Sequence, residues 1–438
     1  MDGWNWLNRK QWLRKMSPSE SWGIIKHETL GHPRNRRDLG LAAVVRFAND
    51  YAVPGLAGLS FLRSIVWSLI GIEFAAVQRA AGNQVNPSAI AEGLEALACW
   101  HCIRNGVDDD MAYRIRGARK LRRIKTAKGP TLTDLARGQG YVSQPIRMGM
   151  GACLPRLGLV EARSTRFNSF ELNDRGRQFL LLALGRADTS KAIPKLWSWL
   201  GGASWKEKHG EKELKLISPM QPLPVELRQY FSGLMASVGV EEERAMRSAL
   251  WQACRELLKD ATLDDDAMTA AISIQVAKSD PAKAARLDWA QDFFATYAAA
   301  FVVLDRVQAQ LSDTNGGRAG VTKLLESQTL QDRLNSLRSM ARQFKAPRGP
   351  QSPPSELAPF IMEICSHDDD AALLRDLVRR DDIVLRLEDS TVSLHPDHKA
   401  DRSPAGDGAP DDEPDEPPMR LYRLHNLCRL AREAMQDA

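Results

Sequence analysis

Three groups of residues have types and spacings that suggest catalysis or metal binding, and a fourth is a run of basic residues. Cys99-Trp100-His101-Cys102 is a C-x-x-C, the spacing of redox dithiols and of half a zinc site. A dithiol site needs a strand ahead of it, and a zinc site needs a second ligand pair. The sequence offers neither, and the motif falls on an apolar helical stripe, so both cysteines read as core. His27-Glu28-Thr29-Leu30-Gly31-His32 misses the metal-binding H-E-x-x-H by one residue. A step of five turns the second His about 140° around a helix, away from any shared metal. Three acidic triplets, Asp108–Asp110, Asp264–Asp266 and Asp368–Asp370, each precede a helical stretch. Acids there cap free N–H groups and favour the helix dipole. No phosphate loop, G-x-S-x-G or dinucleotide fingerprint is present. These residues therefore assign no catalytic group, metal or cofactor.

The fourth group is basic. From Tyr113 to Lys128 the chain holds Arg114, Arg116, Arg119, Lys120, Arg122, Arg123, Lys125 and Lys128 with no acid. Gly129-Pro130 then breaks the chain, and Thr131 caps a short helix with Leu132, Leu135 and Ala136 inward. Gly138-Gln139-Gly140 makes a turn. Ser143 caps the next helix, with Pro145 in its first turn and Ile146, Met150 and Leu154 on one side. At Val160 the period changes from helical to two. Val160–Arg163 is one strand, Ser164–Asn168 a tip and Ser169–Leu172 the return, and Asp174 caps a closing helix.

This order, and the wording LGLV…FELNDRGRQFL, resembles the winged helix-turn-helix family over residues 110–187. The resemblance implies double-stranded DNA as partner. It places Ser143, Gln144 and Arg147 at base edges in the major groove, where Gln pairs with adenine and Arg with guanine. It puts Arg163 and Arg166 on phosphate or minor groove, and the 113–128 cluster on phosphates. Gly149, Gly151 and Pro155 depart from a strong recognition helix, since each glycine costs about 1 kcal/mol there and proline shortens or kinks it. Winged helices also serve as protein-docking modules.

The elements around this unit read as mainly α. Leu41–Tyr51, Ser60–Ala81 and a third helix from Asn86-Pro87-Ser88 form a helical N-terminal domain, 1–109. Residues 188–345 form a helical domain that is loop-rich to 225 and nearly all helix from Val225 to Phe344, with Asp280–Gln310 its strongest piece. APRGPQSPP at 346–354 is a linker. A small α+β unit, 355–396, ends in a hairpin at Ile383–Leu394. Residues 397–418, acidic and rich in Pro and Gly, are expected to be disordered. Residues 419–438 form a terminal helix with Leu421, Leu424, Leu427 and Leu430 on one stripe, which needs a surface in a partner protein or on this chain's own body.

Charge is divided along the chain. Residues 1–200 carry 30 Lys and Arg against 16 Asp and Glu, and the remainder 30 against 39, so the net charge of +5 hides a basic front and an acidic rear. Such asymmetry points to a polyanion partner, or to halves that neutralise each other across an interface. No run reaches the roughly 20 apolar residues of a membrane span, the N-terminus has no secretory pattern, and the six cysteines form no disulfide framework. The expected setting is cytoplasmic. The function expected is a non-enzymatic DNA-binding subunit with protein partners, in a bacterial mobile element or antiphage system by general likeness of architecture. A kleisin-like bridging subunit of a chromosome-organising ATPase, a transcriptional regulator and a cryptic nuclease stay open.

Overall fold

The computed structural model describes residues 37–106, 113–124, 129–136, 142, 145–205, 207–314, 316–344, 353–395 and 421–435. Among these residues the chain is mainly α, with two small antiparallel sheets. It opens with α1 (Ala42–Ala52), α2 (Arg63–Ala80) and α3 (Pro87–Arg104). Asn86 starts α3 by accepting the Ser88 N–H at 2.9 Å, with Pro87 in the first turn. Helices α2 and α3 are apolar nearly all round, and pack along each other in the core.

Three short helices follow: α4 (Ala118–Arg123), α5 (Leu132–Ala136) and α6 (Arg147–Arg156). All three lie against α3. Thr131 starts α5 through a reciprocal cap: its hydroxyl accepts the Asp134 N–H at 3.2 Å, and its N–H donates to the Asp134 carboxylate at 2.7 Å. Helix α6 begins later than the sequence suggests. Pro145 precedes it, Ile146 is its cap, and Ser143 lies outside the described residues. Pro155 falls in its last turn, and the helix ends one residue on. Strands β1 (Val160–Ala162) and β2 (Phe170–Leu172) pair antiparallel, Val160 opposite Leu172. Helix α7 (Asp174–Leu184) is capped by Asn173 rather than Asp174, because the extended Asn173 places its oxygen 3.0 Å from the Gly176 N–H. The boundary drawn at 109/110 runs through this packing, since α3 is the helix on which α4, α5 and α6 rest.

Gly176 lets α7 meet the chain before β1. A methyl group there would lie 2.2 Å from the Leu159 carbonyl oxygen. Alanine favours a helix interior by about 1 kcal/mol, but the clash requires backbone to move, at about 1–3 kcal/mol. Gly176→Ala is therefore expected to lower the melting temperature, and an unchanged or higher value would refute this account.

The stretch read as loop-rich contains α8 (Thr189–Ala192), α9 (Pro194–Leu200) and α10 (Glu207–Ile217). The first two are shorter than the window in which periodicity shows. Tertiary contacts fix them: Trp199 is buried, and its Nε1–H donates to the Pro130 carbonyl at 2.9 Å. The body is α11 (Val225–Ser237), α12 (Glu241–Leu257), α13 (Asp265–Ala277) and the 32-residue α14 (Pro281–Ser312). Asp264 and Asp280 cap α13 and α14. After β3 (Arg318–Gly320) come α15 (Val321–Leu324), α16 (Gln328–Gln343), α17 (Asp370–Asp381), β4 (Leu385–Glu388) and β5 (Thr391–Leu394). The expected hairpin is β4–β5, and β3 adds to it in the order β3-β5-β4. The last helix is α18 (Tyr422–Met435). One contiguous hydrophobic core runs from Leu39 to Ala434. No helix of the described residues is long and apolar enough to cross a membrane.

Candidate nucleic-acid interface

The basic segment divides by burial. Arg114 is buried: its Nη1 donates to the Pro219 carbonyl at 3.0 Å, its Nε to the Tyr113 hydroxyl at 2.9 Å, and it lies 3.5 Å from the Glu433 carboxylate. The expected phosphate contact at Arg114 is thus corrected to a structural one, because its hydrogen-bonding capacity is taken up inside the fold. Arg116 and Lys120 are half-exposed, and Arg122 and Arg123 are exposed on α4. The side chain of Arg119, and Lys125, Lys128, Ser143 and Gln144, lie outside the described residues.

The start of α6 faces α3. The Ile146 N–H donates to the Glu95 carboxylate at 3.0 Å, and Arg147 is bonded to Glu92. Arg147 is therefore drawn onto α3 and away from the position expected at a base edge. Met150, Cys153 and Leu154 fill the core side of α6. Gly149 rests on the Gly58 backbone, where a methyl group would come within 3.2 Å. The outward side carries Met148, 58% exposed, with Ala152 and the half-exposed Gly151 and Pro155.

The loop between β1 and β2 is braced. The Arg166 N–H donates to the Ser164 hydroxyl at 3.2 Å, and the Ser169 hydroxyl donates to the Arg166 carbonyl at 2.7 Å. Phe167 turns inward beside Phe170, and Asn168 accepts the Ser88 N–H at the start of α3 at 3.2 Å. Arg163 and Arg166 project from this frame, exposed. Arg163 lies 2.9 Å from Glu171 across the strands, an exposed pair of small energetic weight. Asn168 was not singled out in the sequence, where nothing marks a polar loop residue as a clip on a distant helix.

Some of the basic front is neutralised by the rear. Arg37 bonds Asp305 and Asp381, Arg156 lies 3.9 Å from Glu243, and Arg114 meets Glu433. The terminal helix is also tied into the fold, with acids of both halves as partners. Leu421, Leu424, Leu427 and Leu430 are all buried, and α18 packs on α11, α12 and α13. Its stripe is thus covered by this chain's own body and not left open for another protein. Arg429 and Arg432 reach Asp265 at 3.4 and 3.1 Å, and Arg429 stacks 4.0 Å over Tyr113. Arg423 shares Asp50 with Arg156, the last residue of α6. Glu433 accepts the Leu62 N–H at the start of α2 at 2.8 Å. Burial pushes its carboxyl above the usual range, against the pull of Arg114, the Leu62 N–H, Arg63 and Arg228.

The other sequence motifs have separate settings. Cys99 and Cys102 are buried; Cys99 donates to the Arg114 carbonyl at 3.8 Å and Cys102 lies 3.6 Å from the Ser218 hydroxyl. Burial raises both thiols. His27, His32 and Asp108–Asp110 lie outside the described residues. Asp369 caps α17, and its neighbours Asp368 and Asp370 pair with Arg342 and Arg338. Among the described residues no three His, Cys, Asp or Glu side chains are grouped to hold a metal. Compared with protein-family models, curated proteins and solved structures, the chain matches none.

Proposed function

We propose that this chain is a non-enzymatic DNA-binding protein that holds duplex DNA with a winged helix-turn-helix. In this reading α3, α5 and α6 are the three helices, and β1–β2 with its loop is the wing. The observation that carries it is the braced loop with Arg163 and Arg166 exposed beside α6, in the same unit as the exposed Arg122 and Arg123. Guanidinium groups carried on a fixed loop suit phosphate oxygens, because little loop freedom is left to lose on binding. The long helical body, larger than a simple repressor needs, supports protein partners as well. The apolar outward face of α6, led by Met148, favours a second reading in which the unit docks protein.

The test is a titration of labelled duplex DNA with the full chain, followed by fluorescence anisotropy across salt concentrations. Log affinity should fall with log salt by about 0.9 for each phosphate neutralised. Replacing Arg122 and Arg123 together by Ala should flatten that slope by about 1.8, for two contacts. Absence of duplex binding at about 50 mM salt, where such contacts are strong, would remove this reading in favour of protein docking. An unchanged slope in the folded double variant would remove α4 from the interface.

A further inference from the structure

Resting on that reading, we infer that the unit grips duplex DNA through the wing and α4 without reading sequence, and that α6 is a support for the wing and not a reader. Three observations on α6 and one on the wing lead there.

First, the N-terminal end of α6 is already answered. Helix N-termini attract phosphate because their N–H groups are free and their dipole is positive. Here Glu95 takes the Ile146 N–H and Glu92 takes Arg147. Second, among the described residues the most exposed positions of α6 have nothing to read with, and its half-exposed Arg147 and Arg156 are paired with Glu92 and with Asp50 and Glu243. Base readout in the major groove needs side-chain donors and acceptors, and only thymine methyls are met by apolar contact. Met148, Gly151, Ala152 and Pro155 supply no side-chain polar hydrogen-bonding group apart from the weakly accepting Met148 sulfur. Third, α6 has no freedom to advance. Its inner face is core, and Gly149 lies against the Gly58 backbone.

The wing is built the opposite way. Its loop is hydrogen-bonded within itself, anchored inward by Phe167 and clipped to α3 by Asn168, while Arg163 and Arg166 stay exposed. The segment leading into α4 is hooked to α3 at Cys99, eleven residues beyond Ser88. At 1.5 Å per residue the two anchor points are about 16 Å apart along α3. That separation of the anchors is within one duplex turn of about 34 Å, as contact of both basic elements with one duplex requires. Phosphate contacts of this kind give affinity and register but no sequence information.

The experiment is a selection of bound duplexes from a random pool of about 20 base pairs using the full chain, followed by titration of individual members. A sequence reader prefers its site by about a thousandfold or more over unrelated DNA. The expected result is duplex binding with no enriched motif. Arg163→Ala with Arg166→Ala should weaken every duplex alike and flatten the salt slope by about 1.8. Met148→Gln, on the exposed side of α6, should leave affinity unchanged. An enriched motif whose preference is altered by Met148→Gln and not by the wing variant would overturn the inference while leaving DNA binding standing. Failure of the whole pool to bind would instead remove the DNA reading itself. All three positions are exposed, and a matching thermal melt confirms that each variant is folded.

Discussion

Replacing Glu433 by Ala lowers the stability of the whole chain by about 3–5 kcal/mol, the cost of removing one partner from a buried ionic cluster. The carboxylate lies among Arg63, Arg114 and Arg228 and accepts the Leu62 N–H that opens α2. Without it, buried guanidinium groups lose a counter-charge and the buried Leu62 N–H loses its acceptor. Glu433→Gln should cost less, because an amide oxygen can still accept from Leu62. Leu427→Ala, in the same helix, should cost about 2–5 kcal/mol by leaving a cavity. Thermal melts of the full chain check all three. If Glu433→Ala and Leu427→Ala both melt with the parent, α18 is not a clasp in solution.

The same residue carries a pH signature. Burial raises the Glu433 carboxyl, so the folded chain holds that proton more tightly than the unfolded chain. Its contribution is full below the ordinary Glu range and declines as pH rises through the raised value. The gap in melting temperature between the parent and Glu433→Gln should therefore narrow as pH rises above the ordinary Glu range. Asp188 behaves oppositely. The Ser190 hydroxyl, then Lys191, holds it at about 2, so its contribution is present at neutral pH and is lost only as pH falls through that value.

Asp381→Ala should also cost about 3–5 kcal/mol. Asp381 is 2% exposed, accepts Arg37 Nε at 3.0 Å, and accepts the Leu385 N–H at 3.1 Å at the start of β4. Arg37 is bonded to Asp305 and Gln308 of α14 as well. Removing the carboxylate strands part of a buried guanidinium and frees the turn into the second sheet. Replacing the pair together by Met at 37 and Leu at 381 should recover much of the loss, since buried ion pairs are often matched by apolar residues of similar volume. A double-mutant cycle reads the coupling, and strictly additive losses would count against a direct pair.

What the sequence determined was local. The Asn86, Thr131 and Asp264 helix starts, the β4–β5 hairpin and the long α14 are each written in a few adjacent residues or in one period, and each is found. The position of α6 was legible only in part, because Ser143 and Pro145 look like a helix start while the described helix begins at Arg147. The tertiary structure alone decided which charges face solvent. Arg114 and Arg122 belong to one basic run, yet one is buried on Glu433 and the other is exposed. Glu92 and Glu95 hold α6 from 51 to 55 residues away, β3 joins β5 across more than 70 residues, and Glu433 meets Leu62 across 371. A cap or a stripe is specified by spacing along the chain. The partner of a buried charge is specified by which surfaces the core brings together, and no period in the sequence records that.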